Sequence, residues 1–116
     1  MIKNRKEQLY LQLHPRNRRI FSSIGENIAL ARRKRKISIK SMAERTAMST
    51  QTIVRAEKGD PTISLVVLAN ILQALNLGND MEAIANPLTD KIGQQIDKEK
   101  YLRYRLNNDN FKDFNP

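Results

Sequence analysis

The stretch MAERTAMSTQTIVRAEKGDPT, residues 42–62, holds two short apolar-periodic segments on either side of a tight turn. Ser38 stands just ahead of the first as an N-cap candidate, and Ile39, Met42, Ala43 and Thr46 then fall on one helical face. The turn is Ala47-Met48. Ser49 can cap the second segment, whose inward residues Ile53 and Ala56 are three apart, and Gly59 supplies a left-handed C-terminal stop. Two helices joined so tightly need a small residue where they cross, which Ala43 provides, while Met42, Met48, Ile53 and Ala56 fix the angle. Thr50, Gln51, Val54 and Arg55 share the face opposite Ile53 and Ala56, so a largely polar surface is turned outward over residues 50–58.

Working outward, Ser23 and Glu26 have the spacing of a capping box, and Ile24, Ile28 and Ala31 recur at helical intervals, which predicts a helix ending near Lys36. On the other side Asp60-Pro61-Thr62 is a turn, and Leu65, Leu68, Leu72 and Leu75 mark a strongly apolar helix ending at Gly78. A fifth short helix over residues 80–85 stops before Asn86-Pro87, because the residue before proline is pushed out of the helical region. Residues 90–97 suit a further turn or two. At the two ends, Leu9, Leu11 and Leu13 alternate with Tyr10 and Gln12, and Leu102, Tyr104 and Leu106 alternate with Arg103 and Arg105, patterns of period two that suit short strands. The expectation is an all-α fold of five helices with short β-strands in the terminal extensions. Its divisions are a basic arm at 1–21, a helical domain at 22–86 and a C-terminal extension at 87–116.

A 116-residue chain with 40% hydrophobic residues supports one compact core. Without cysteine it has no disulfide, thiolate nucleophile or thiolate metal site, which fits a reducing cytoplasm. The basic start leads only to a short leucine patch rather than a signal segment, and residues 63–77 fall short of the roughly 20 apolar residues of a membrane span. The net charge of +9 lies entirely in residues 1–36, where eleven Lys or Arg, including the run at 32–36, face only Glu7 and Glu26. Such a concentration is the footprint of a protein that approaches phosphates; the plainer reading is a solvated basic face. His14, the only histidine, has no carboxylate pair near it, and Ser22, Ser23, Ser38 and Ser49 are explained as caps. No catalytic, cofactor or metal role is expected.

Taken together, IGENIALARRKRKIS (24–38), MAERTAMSTQTIVRAEKGDPT (42–62) and SLVVLANILQALNL (64–77) resemble the lambda-repressor-like (XRE) family of helix-turn-helix regulators. The resemblance implies that residues 50–58 form a recognition helix whose Thr50, Gln51, Val54 and Arg55 read bases. Gln51 has the chemistry to pair with adenine, Arg55 with guanine, and Thr50 or Val54 to touch a thymine methyl. Arg32, Arg35, Ser38, Lys40, Ser49, Thr52 and Lys58 are the expected phosphate contacts. It also implies an ion pair between Arg32 and Glu57 that orients the reading helix. Two positions depart from the family. Ala47 stands where glycine usually relieves a positive φ, at a cost of roughly 1 kcal/mol. Ile39 stands where many members place a phosphate-contacting glutamine, so that Lys40 takes over the contact or it is lost.

GDPTISLVVLANILQALNL (59–77) and IANPLTDKIGQQ (84–95) further resemble HipB-like antitoxins, which repress their own operon and bind a HipA-like serine/threonine kinase toxin. The alternatives are a stand-alone phage, plasmid or metabolic repressor, and an interaction module that binds no DNA. The expected partners are double-stranded DNA carrying an inverted repeat, a second copy of the chain and the kinase, with no membrane. Leu102, Tyr104, Leu106, Phe111 and Phe114 are expected to supply a dimer or partner contact, since four of the chain's six aromatics lie in its last sixteen residues.

Overall fold

The computed structural model describes residues 4–108, which are helical with no strand among them. In order these are α1 (Arg5–Gln12), α2 (Pro15–Lys34), α3 (Ile39–Thr46), α4 (Thr50–Glu57), α5 (Leu65–Ala74), a 3₁₀ helix (Gly78–Ala83) and α6 (Lys91–Asn107). The described chain forms two compact units, one ending at Asp80 and one beginning at Met81.

In the first unit α4 packs against α2 and α3, and α3 also packs against α5. Met42, Ile53, Ile71 and Leu75 are fully enclosed, with Ile28, Ile37, Ala43 and Ala56 around them. The core thus takes apolar residues from four helices at the positions their periodicity marks. Three of these helices start alike. Ser38, Ser49 and Ser64 are extended and accept the backbone N–H of Ser41, Thr52 and Val67, so each helix begins with one orphan amide satisfied.

Four helices also stop alike. Lys36, Ala47, Gly59 and Asn76 all have φ between 55° and 73°. In each case the next residue's N–H reaches back past the turn, from Ile37 to Arg32, Met48 to Ala43, Asp60 to Arg55 and Leu77 to Leu72. Only one of the four is glycine, and there the packing demands it: a Cβ on Gly59 would lie 2.6 Å from the Phe21 carbonyl oxygen. The apolar helix α5 therefore ends through Asn76, whose side chain tolerates the left-handed region, rather than at Gly78.

The helix expected to begin at Ser22 or Ser23 begins instead at Pro15, with His14 Nδ1 accepting the Arg16 N–H. Proline at the first helical position loses no needed donor, and the serines downstream sit exposed mid-helix at small cost. The expected strands at both ends are helices. Leu9, Leu11 and Leu13 fall on or at the end of α1, which Asn4 caps by accepting the Glu7 N–H. Leu102, Tyr104 and Leu106 fall on α6. Alternating leucines are compatible with either state over so few residues; the intervening Gln12, Arg103 and Arg105 and the flanking Lys and Glu favour helix, none is β-branched, and a strand with no partner leaves its backbone unpaired. The count of helices rises from five to seven among the described residues.

Candidate nucleic-acid interface

Three contacts hold α4 from behind. Arg32, near the end of α2, donates from Nε to Glu57 Oε2 at 2.7 Å and from Nη2 to Glu57 Oε1 at 3.0 Å. Its Nη1 donates to the Ile37 carbonyl at 3.0 Å, so one guanidinium ties α2, the α2–α3 connection and α4 together. The hydrogen bond to Glu57 raises the Arg32 pKa against the desolvation that lowers it. Gly25 supplies the second contact: a Cβ there would lie 2.4 Å from the Glu57 carbonyl oxygen, so α2 meets the end of α4 backbone to backbone. The third is the seat of Gly59 against Phe21 and Ser22.

On its open side α4 turns Thr50, Gln51 and Arg55 to solvent, with Val54 half-buried, while Ile53 and Ala56 point inward. The N-termini of α3 and α4 bring Ser38, Lys40 and Ser49 to the surface, and the Thr52 hydroxyl lies 2.9 Å from Ser49 Oγ. Lys58 is exposed at the end of α4. Arg35 is exposed too, with Nη1 donating to the Ala31 carbonyl. Arg32 is different. Expected also among the phosphate contacts, it is buried with Nε, Nη1 and Nη2 each donating inside the protein, so its guanidinium is not presented to the surface as that expectation requires. Ile39 turns toward the core, where a glutamine's amide would have no use, and the neighbouring Lys40 is exposed at the start of α3.

Arg55 is not a free cation. Its Nε donates to Asp60 Oδ2 at 2.9 Å, and Nη2 donates to the Thr62 hydroxyl. Asp60 Oδ1 in turn accepts the Thr62 N–H at 2.8 Å and the Thr62 hydroxyl at 2.7 Å, an Asx-type turn closed by its own side chain. Lys6 of α1 lies 3.4 Å from the same Oδ2. Burial pushes the Asp60 carboxyl up. Hydrogen bonds from the Thr62 hydroxyl, Arg55 and the Thr62 amide, with the charge of Lys6, more than offset this and hold it well below the usual carboxylate range. Neither Gly25 nor the Asp60 cluster is singled out by the sequence reading. The available signals were a glycine inside a helical pattern, which marks close packing, and an Asp two residues before a Thr at a turn.

Leu102, Tyr104 and Leu106 lie on α6, with the two leucines exposed. Phe111 and Phe114 lie outside the described residues. Among the described residues no group of three or more His, Asp or Glu is placed to hold a metal, and no helix is long and apolar enough to cross a membrane.

No curated protein and no solved structure gives a significant match to the chain. A family model does: residues 27–78, from the middle of α2 through α5, match the Cro/C1-type HTH DNA-binding domain. The match takes in α3, the Ala47 turn and α4 with its outward face, and leaves α1, Gly25 and α6 outside. Over residues 27–78 the chain is thus similar to Cro/C1-type HTH DNA-binding domains.

Proposed function

We propose that this protein is a sequence-specific transcriptional regulator that binds an inverted repeat as a homodimer, with Thr50, Gln51, Val54 and Arg55 reading bases in the major groove. The observation that carries the reading is the outward face of α4, solvated and polar on a helix clamped from behind by Arg32, Gly25 and Gly59. A rigidly held helix with an open polar face is what direct readout requires. Helix N-termini attract phosphate, which supports Ser38, Lys40, Ser49 and Thr52 at the starts of α3 and α4 as phosphate contacts, and the exposed Arg35 and Lys58, at the ends of α2 and α4, carry the charge for the same role.

One reading helix per chain covers too few base pairs for useful specificity, which is the reason for a two-fold pair with half-sites about 34 Å apart. Within this class we favour the autorepressing antitoxin of a HipA-like kinase over a stand-alone repressor. The support is the likeness of residues 59–77 and 84–95 to HipB-like chains, together with the exposed Leu102 and Leu106 on α6, a surface with no DNA-binding use.

Titration of the protein against its own upstream region and a scrambled duplex, at several salt concentrations, tests the DNA-binding reading. Arg35→Ala or Lys40→Ala should weaken both duplexes alike and lower the salt slope by about one per lost phosphate contact, whereas Gln51→Ala should act mainly on the cognate duplex. A wild-type protein that shifts neither duplex at low salt would overturn the proposal. For the finer reading, a deletion of residues 99–116 should leave DNA-domain folding intact but abolish dimerisation or binding to a kinase encoded beside the gene. Retention of both would remove the role given to this tail.

A further inference from the structure

The turn after α4 carries a device that the outward face of the helix does not explain. Asp60 is the only carboxylate among the described residues whose side chain is both ion-paired to Arg55 and almost fully buried, 2% exposed against 46% for Arg55. The Thr62 amide and hydroxyl fill Oδ1, while Oδ2 faces Arg55 and Lys6, so the carboxylate is held on both oxygens. What the pairing does is fix the guanidinium. An arginine side chain otherwise samples many rotamers, and holding it in one of them before the ligand arrives removes an ordering cost from binding.

The geometry of the tie decides which donors remain. Nε faces Asp60 Oδ2 and one hydrogen of Nη2 faces the Thr62 hydroxyl, so the lateral edge of the guanidinium is filled. Of its five N–H donors, the two on Nη1 and the second on Nη2 keep no partner among the described residues. These form the end-on fork, and a fork of two parallel donors matches the O6 and N7 acceptors of guanine.

We propose that Asp60 and Thr62 are positioning residues for base recognition, which aim the end-on fork of Arg55 at a guanine, so that the specificity-determining set extends beyond α4 into the turn at residues 60–62. This rests on the DNA-binding reading above and names how one position of it is read. Thr62 acts at the far side of the cluster: its hydroxyl accepts from Arg55 and donates to Asp60, so replacing it with an isosteric methyl opens the clamp from both directions.

The test is selection of binding sequences from a pool of duplexes with a randomised core, run on the full chain and on variants, followed by titration of the winning duplex and its single-base changes. Arg55→Ala should erase a guanine preference of about tenfold or more at one position per half-site. Thr62→Val and Asp60→Asn should each lose several-fold of preference at that same position, while Thr62→Ser keeps it. In an Arg55→Ala background neither should have any further effect on preference, which a purely structural role of the turn would not produce. Asp60→Asn removes a buried charge, so Thr62→Val keeps the test open if that variant fails to fold. Equal weakening of all duplexes by Thr62→Val, or effects additive with Arg55→Ala, would overturn the proposal. A selected motif that Arg55→Ala leaves intact would overturn it while sparing DNA binding, and failure of the wild type to select any motif would bring down the function reading itself.

Discussion

The two units of this chain use similar residues to opposite ends. Up to Asp80, Met42, Ile53, Ile71 and Leu75 are fully enclosed, and the buried Arg32–Glu57 ion pair joins α2 to α4. From Met81 to residue 108 no described residue is buried, and Ile84, Leu88, Ile92, Ile96, Leu102 and Leu106 are all exposed. Helical periodicity makes a fold only where a second layer receives the apolar stripe. α6 is longer than α3, α4 or α5, yet the shorter helices are the ones built into a core. An isolated helix of this length is marginal in water, so its order depends on what covers it.

The contrast breaks most easily at Arg32. Arg32→Ala should destabilise the first unit by about 3–5 kcal/mol in urea titrations, because it strands the Glu57 carboxylate at a site only 10% exposed. A paired Arg32→Met, Glu57→Leu variant should recover most of that loss, since an apolar pair needs no desolvation. Gly25→Ala should cost about 1–3 kcal/mol by the same measurement, as its new methyl meets backbone that cannot swing aside.

Asp60 gives the contrast a pH axis. Its folded-state pKa lies below the unfolded one, so its contribution is fully present above about pH 4 and is lost as pH falls toward the folded value. Thermal melts between pH 5 and pH 2 should therefore show the stability gap between wild type and Asp60→Asn closing as acid is added. A gap that stays constant would mean that the carboxylate's charge is not what holds the turn.

The last two effects are smaller. Ala47→Gly should raise stability by about 0.5–1 kcal/mol, because φ of 56° is strained for alanine and free for glycine, partly offset by the unfolded chain's gain in entropy. In the second unit, Leu106→Ser should change the stability of the first by less than about 0.5 kcal/mol, since Leu106 is 85% exposed. A larger loss would show that α6 has a buried partner in solution and so narrow the difference between the units.

Much of the first unit was legible in advance. Short-range rules act within one helix and need no partner: serines at 38 and 49 cap, Ile53 and Ala56 face inward, and Ala47 takes the left-handed turn. The outward face of α4 followed from the same periodicity. Where two states share a local pattern the sequence is ambiguous: the alternation at Leu9, Leu11 and Leu13 and at Leu102, Tyr104 and Leu106 suits two short strands, and both segments lie on or at the end of helices, α1 and α6.

The sequence by itself thus determined the helical core, the place of α4 with its outward face and the basic bias of the first third, because these depend on side-chain type and spacing along one chain. Tertiary structure alone decided that Arg32 is buried and engaged on all three nitrogens, that Gly25 and Gly59 are places where backbone meets backbone, and that Arg55 is held by Asp60 and Thr62. Each of these depends on which atoms of a different element arrive at a few ångströms. That distance is set by how whole helices cross, and no local pattern carries it.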